Sequence, residues 1–360
     1  MLSLEAHAQV LAFSKFKVAH PKLVAADATI RQFVHEPADT AILLVAGPTG
    51  AGKTTLKDRV IEKLAAEFES STLPEPPSPP VAFDCPAPAG TTFAWGDWLA
   101  AGLEALRHPA PREIVHVPAD PRVAIETGSR RNIGAMRRNL VTLACDQRVA
   151  AIGNDEAQHL AAVGRRGLVA QLEMIKSLAD AVGVPFILFG TYTLLELRNL
   201  SGQLGRRCQD VHFPRYRIDD AQDWTDFKSV VHTFAQELPI DEETLLGDPE
   251  WIYLRSAGCI GTLKQWLTRA LVASLEDGTG EITRAQLEKK ALSVAALTAI
   301  AEEITVGERE FEEDAASIAV LEGLIGRTVV REPIEPKAPR KRAGRVGHRN
   351  PKRDQTAAAA

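Results

Sequence analysis

The chain alternates short apolar runs with longer stretches of helical period. "AILLVAG" at residues 41–47 is unbroken and apolar, as a strand covered on both faces should be. "KTTLKDRVIEKLAAEF" follows with Leu56, Val60 and Leu64 at four-residue spacing, which predicts a helix with one buried face. "STLPEPPSPP" can be neither helix nor central strand. Beyond it "VAFDCPA" reads as a second strand, "FAWGDWLAAGLEALRHP" as a helix and "PAPREIVHVPADP" as a loop-like insertion. "VAIETGSRRNIGAMRRNLVTLAC" has helical spacing, "RVAAIGNDEAQHL" is a third strand running into acidic residues, and "LVAQLEMIKSLADAVG" is an amphipathic helix ended by glycine. "VPFILFGT" and "QDVHFPRY" supply strands four and five.

Strands alternating with helices predict an α/β fold, with a parallel five-stranded sheet flanked by helices. From about Arg217 no strand pattern recurs, so a small helical lid domain is expected to follow. The boundaries expected are a helical extension over 1–40, an α/β core over 41–216, lid and C-terminal helices over 217–325, and a basic, disordered tail over 326–360.

Between the first strand and its helix lies "GPTGAGKTT", which fits a phosphate-binding loop with Gly47, Gly52, Lys53 and Thr54 in register. Glycines let backbone N–H groups close on phosphate oxygens, and the helix N-terminus adds partial positive charge. Gly47, Pro48, Thr49, Gly50, Ala51, Gly52, Lys53, Thr54 and Thr55 are therefore the nucleotide-binding candidates. Lys53 would reach the β- and γ-phosphates of ATP, and Thr54 would offer its hydroxyl to Mg²⁺.

The third strand ends in Asp155 and Glu156. At a strand end beside a phosphate loop, Asp155 can hold Mg²⁺ through a water and Glu156 can activate the attacking water. Asn154, before them, stands where an apolar residue is expected, and a buried asparagine needs partners. Thr191, at the end of the fourth strand, can contact the γ-phosphate or the lytic water. Arg206 and Arg207 precede the fifth strand, and a guanidinium can neutralise charge that develops in a phosphoryl-transfer transition state.

Composition narrows the class. In 360 residues, 45% apolar and 25% charged, no apolar run approaches a membrane span and the N-terminus has no signal-peptide layout. The four cysteines stand far apart, as reduced thiols of a cytoplasmic protein would. Net charge is −5, yet residues 331–360 hold nine Lys/Arg against three Asp/Glu, leaving −11 on residues 1–330. Contact with nucleic acid must then come from local patches. One candidate is "SRRNIGAMRRN", where Arg130 and Arg137, and Arg131 and Arg138, are seven apart and share a helix face.

The stretches "GPTGAGKTTL", "FAWGDWL", "NDEAQHL", "IKSLADAVGVPFILFGTY", "NLSGQLGRRCQDVHFPRY" and "SAGCIGTLKQWLTRAL" resemble the AAA+ ATPase regulators of DNA transposition, the TniB/TnsC family, over roughly residues 20–275. The resemblance implies an ATPase of slow, regulatory turnover that assembles with itself as a ring or helical filament on double-stranded DNA. Its implied partners are a TniQ-type target selector and a DDE-type transposase, with no membrane. It also implies that Thr191 is the sensor 1 residue, that Arg206 or Arg207 is the arginine finger, and that Lys264 is a weak substitute where Gly261 replaces the lid arginine of initiator-type relatives. Alternatives are another DNA-associated AAA+ ATPase, an origin-recognition-like initiator or helicase loader, and an ExeA-like nucleotide-binding module. A winged-helix segment after the lid would favour the initiator, but residues 283–325 carry a helical pattern without a strand pair.

Overall fold

The computed structural model describes residues 2–37, 41–88, 92–107, 133–163, 165–198, 208–312 and 315–326. Five strands, β1 (Ile42–Ala46), β2 (Val81–Asp84), β3 (Ile152–Asp155), β4 (Phe186–Gly190) and β5 (Cys208–His212), form one sheet. Their order is β2-β3-β4-β1-β5 and every pairing is parallel. The strand before the phosphate loop is thus central, and β4 separates it from the strand carrying the acidic pair. In a parallel sheet all C-terminal ends open onto one edge, where ligands of open α/β sheets bind.

The apolar run of β1 is fully buried because its side chains alternate between two cores. Ile42 and Leu44 face one, with Phe186 and Leu188, against α4 (Trp95–Ala105), α5 (Ile133–Gln147) and α6 (Arg165–Val182). Leu43 and Val45 face the other, with Ile187 and Phe189, against α2 (Pro21–His35) and α3 (Lys53–Glu69). Between α2 and α3 the buried Asp27 carboxylate meets Arg31 at 3.3 Å, Arg59 at 3.4 Å and Lys63 at 2.7 Å. Pairing of this kind is what makes a buried charge tolerable.

A third core gathers the helices after β5. It contains α8 (Ala221–Gln236), α9 (Glu242–Leu246), α10 (Pro249–Ser256), α11 (Ile260–Glu276) and α12 (Arg284–Lys290), and a four-residue turn, α7 (Leu195–Arg198), precedes β5. The two helices before β1 divide between two cores. Phe13 of α1 (Leu4–Lys15) inserts into this third core, whereas α2 covers the sheet. Among the described residues after β5 there is no further strand, only an isolated bridge between Ile240 and Ile282.

The next helix, α13 (Val294–Arg309), returns to the sheet edge. Its Gly307 lies flat on Tyr192, where a Cβ would stand 2.0 Å from the ring. Phe311 stacks on His212 at 4.1 Å, and Glu308 pairs with Arg215. Residues 1–311 form one compact unit and 312–360 a second, in which α14 (Ala315–Leu324) buries no side chain. No helix among the described residues is long and apolar enough to cross a membrane. All four cysteines are unbridged.

Candidate functional site

The loop from Gly47 to Gly52 leaves β1 and turns directly into α3. Gly50 and Gly52 hold positive φ angles of 78° and 106°, a region where a side chain is strained. Open space surrounds the Cβ position of Gly52, while a Cβ on Gly47 would meet the Phe213 carbonyl at 2.2 Å. The loop is therefore closed against Phe213 at Gly47 and open at Gly52. Lys53 folds over it, its Nζ donating to the carbonyls of Gly47 (2.9 Å) and Pro48 (2.8 Å). Burial pulls the Lys53 ammonium below its ordinary pKa, against the opposing pull of Glu156, Cys259, Asp155 and Glu303. Its hydrogen bonds go to neutral carbonyls, so an anion at this loop would meet a desolvated cation.

Asp155 is buried at the end of β3, and Asp84 stands beside it in register on β2. Asp155 Oδ2 lies 3.2 Å from Lys57 Nζ, one turn into α3, and Oδ1 accepts the Glu156 N–H at 2.9 Å. Burial alone would lower the Lys57 pKa, but Asp155, Asp84 and Asp58 outweigh it and raise the value. Glu156 is exposed and turns the chain with φ 53°. Its carboxylate Oε2 accepts from Gln158 Nε2 at 2.5 Å, and Gln158 Oε1 accepts the Thr191 N–H at 3.2 Å. The loop, the acidic pair and Thr191 all sit at the C-terminal ends of β1, β3 and β4. Thr54, exposed on the first turn of α3, and Asp155 would hold Mg²⁺ there.

Above the loop, the start of α11 seats on it. Thr262 N–H donates to Gly50 O at 3.0 Å, and a Cβ on Gly261 would stand 2.6 Å from that same oxygen. Phe16, Val18, His20, Thr55, Phe234 and Ile260 line a cavity of about 40 Å³ beside Ala51 and Gly52. His20 Nδ1 lies 2.9 Å from the Tyr216 hydroxyl and 3.4 Å from the Leu23 N–H at the start of α2.

Lys264 also lines this cavity, but its ammonium is committed elsewhere. Nζ donates to Ser14 O (2.7 Å) and Phe16 O (2.5 Å), the carbonyls at the C-terminal end of α1, where a helix favours a cation. Arg137 on α5 donates to Ser177 Oγ at 2.5 Å, and Arg138 is exposed. Arg130, Arg131, Arg206 and Arg207 lie outside the described residues. Asn154 is fully buried, between Phe83 and Leu188 on the adjacent strands, and neither polar atom of its amide meets a partner among the described residues. Nothing in the structure explains that choice.

Sequence reasoning missed Lys57, Gln158, His20 and Thr262. Lys57 was within reach, lying one helical turn beyond Lys53. The others act through contacts between distant segments.

A family model described as AAA domain matches residues 38–198. No curated protein matches the chain in sequence. Among solved structures, the Aeropyrum pernix ORC2 protein in its ADP form is similar with TM-score 0.52 at 14% identity, covering 77% of this chain and 70% of that one. The Aeropyrum pernix ORC1 protein in complex with DNA is similar with TM-score 0.52 at 16% identity, covering 76% of this chain and 65% of that one. At such identities the likeness is one of fold. The chain has the AAA+ P-loop fold, a parallel five-stranded sheet flanked by helices and followed by a helical region.

Proposed function

We propose that this chain is an ATP-dependent, DNA-binding regulator of transposition, similar to the TniB/TnsC proteins. The observation that carries the ATPase reading is the convergence of Lys53, Asp155, Glu156 and Thr191 on one sheet edge, with Gln158 joining the last two. ATP and Mg²⁺ are its cofactors, the metal ion supplying neutralisation of phosphate charge. Lys53 binds the phosphates, Thr54 and Asp155 hold the metal, Glu156 orients and activates water, and Thr191 contacts the γ-phosphate side. Arg206 or Arg207 acts in the site of a neighbouring copy. Turnover is slow and regulatory.

The transposition role rests on the sequence resemblance, above all on the run from "NLSGQL" to "FPRY". Arg130, Arg131, Arg137 and Arg138 contact phosphates of double-stranded DNA without reading sequence, so binding weakens with salt. Self-assembly into a ring or filament repeats that weak contact along one duplex. A TniQ-type target selector and a DDE-type transposase are the protein partners. The fold it shares with an archaeal ORC1 protein solved in complex with DNA keeps an initiator role as the second reading. The described residues after α11 contain helices and the isolated bridge at Ile282.

Electron microscopy of the purified protein with duplex DNA, with and without a non-hydrolysable ATP analogue, tests the proposal. Rings or filaments on DNA that require the analogue are expected. Sequence-specific binding by single copies would overturn it in favour of the initiator.

A further inference from the structure

The side chain of Gln158 touches both ends of the chemistry without belonging to either motif. It stands in the short 3₁₀ turn Ala157–Val163, pinned by the fully buried Ala157 and Leu160 and by the bond from His159 N–H to Glu156 O at 3.0 Å. From there its amide spans two strand ends. Oε1 accepts the Thr191 N–H at 3.2 Å and Nε2 donates to Glu156 Oε2 at 2.5 Å. An amide has one accepting and one donating end, so these two partners fix its orientation. Gly190 leaves room for it: a Cβ there would stand 2.8 Å from Gln158 Oε1 and 3.1 Å from its backbone nitrogen.

Glu156 depends on this bond. It is exposed, its backbone is left-handed at φ 53°, and its own N–H is committed to Asp155. No other hydrogen bond to its carboxylate is present among the described residues. A free carboxylate on such a turn would spread over several rotamers, few of them facing a water in line with the loop.

We infer that Gln158 is a positioning residue, which holds Oε2 of Glu156 so that Oε1 faces the attacking water and ties that orientation to the Thr191 turn. This rests on the role of Glu156 proposed above. Movement of the Thr191 turn shifts Oε1 of Gln158, and the carboxylate follows. Glutamine is required because glutamate would set an oxygen anion against Glu156, and leucine would offer neither end.

The test is steady-state ATP hydrolysis by the full chain with Mg²⁺, for Gln158→Leu, Gln158→Glu, Glu156→Gln and the double variant Glu156→Gln/Gln158→Leu. Gln158→Leu should lower kcat about tenfold and leave KM for ATP within about twofold. Gln158→Glu should lower kcat at least as far as Gln158→Leu, because it sets a carboxylate oxygen where the amide donated to Glu156. The double variant should turn over no more slowly than Glu156→Gln. Unchanged kcat would overturn the inference, as would a KM effect as large as that on kcat. A further tenfold loss in the double variant would do the same, by showing that Gln158 acts elsewhere. Full activity in Glu156→Gln would instead remove the base role itself, a separable failure.

Discussion

Acid should loosen this fold well above the range in which carboxylates titrate, and His20 is the main cause. Its ring is buried between Phe213 and Tyr216, and desolvation, with Lys22 and Arg59 adding to it, lowers its pKa from 6.5 to about 4. An amide N–H can only donate, so the Leu23 N–H identifies Nδ1 as the unprotonated nitrogen. Protonating Nδ1 would remove the cap of α2 and strand a charge in the core. The folded state therefore stays neutral while the unfolded chain takes up a proton below pH 6.5. Stability from this residue is complete above 6.5, declines as pH falls, and stops changing below about 4.

The size follows from linkage. Between pH 6.5 and 5 the loss is about 2 kcal/mol, at about 1.36 kcal/mol per pH unit. His212, half-buried, bonded to the Tyr192 hydroxyl and also lowered to about 4, adds a smaller share in the same window. Urea unfolding followed by circular dichroism at pH 7.5, 6 and 5, at constant ionic strength, measures the slope. His20→Asn keeps a side-chain acceptor for the helix start and titrates nowhere in this range. It costs stability at every pH through lost packing, but the difference between pH 7.5 and 5 should shrink by about 2 kcal/mol. If His20→Asn shows the parent's pH dependence, His20 is not held neutral and the reasoning fails.

The remaining expectations concern the site and its supports. Lys53→Ala should abolish nucleotide binding measured with a fluorescent ATP analogue, whereas Glu156→Gln should bind and stall; wild-type turnover in the second would remove the base. If Arg206 or Arg207 acts in a neighbouring copy, specific ATPase activity should rise with protein concentration, and a flat dependence counts against it. Asn154→Leu should raise the unfolding free energy by about 1–2 kcal/mol, since an unpartnered buried amide is replaced by an apolar side chain of similar size; a loss in urea melts would show that the amide has a partner. Gly307→Val should cost about 3 kcal/mol or more, because its Cβ would fall 2.0 Å from the Tyr192 ring, and an unchanged melting temperature would refute that packing.

The sheet was legible because strands buried on both faces are written as continuous apolar runs. "AILLVAG" and "VPFILFGT" became β1 and β4, both wholly buried. The phosphate loop was legible because its constraints are local: glycine where φ is positive, lysine at the first helical position. Order within the sheet was not, because parallel strands carry no mark of their neighbours, and β4 lies between β1 and β3. Nor could position alone show the bonds of Lys264, whose partners sit 248 and 250 residues away at the end of α1. Gln158 escaped for the same reason. Its role is set by Thr191, 33 residues on, and periodicity assigns no partners to a polar side chain in a turn.

Gly261 seemed a defect in the sequence, a missing arginine on the lid. Its surroundings give it a positive reason. At this position the first turn of α11 approaches the phosphate loop so closely that a Cβ would meet Gly50 O at 2.6 Å and Gly52 N at 3.4 Å. An arginine there would push the helix off the loop and break the bond from Thr262 N–H to Gly50 O. The requirement is reciprocal, since a Cβ on Gly50 would meet Thr262 Oγ1 at 2.0 Å. Two glycines on opposite elements thus allow backbone to meet backbone, with no flexible side chain between them. The carbonyl of Gly50 and the amides of Gly50 to Lys53 belong to one short loop of fixed curvature. The Gly50 carbonyl and the Ala51 N–H share one peptide plane, so turning that N–H also turns the acceptor on which α11 rests.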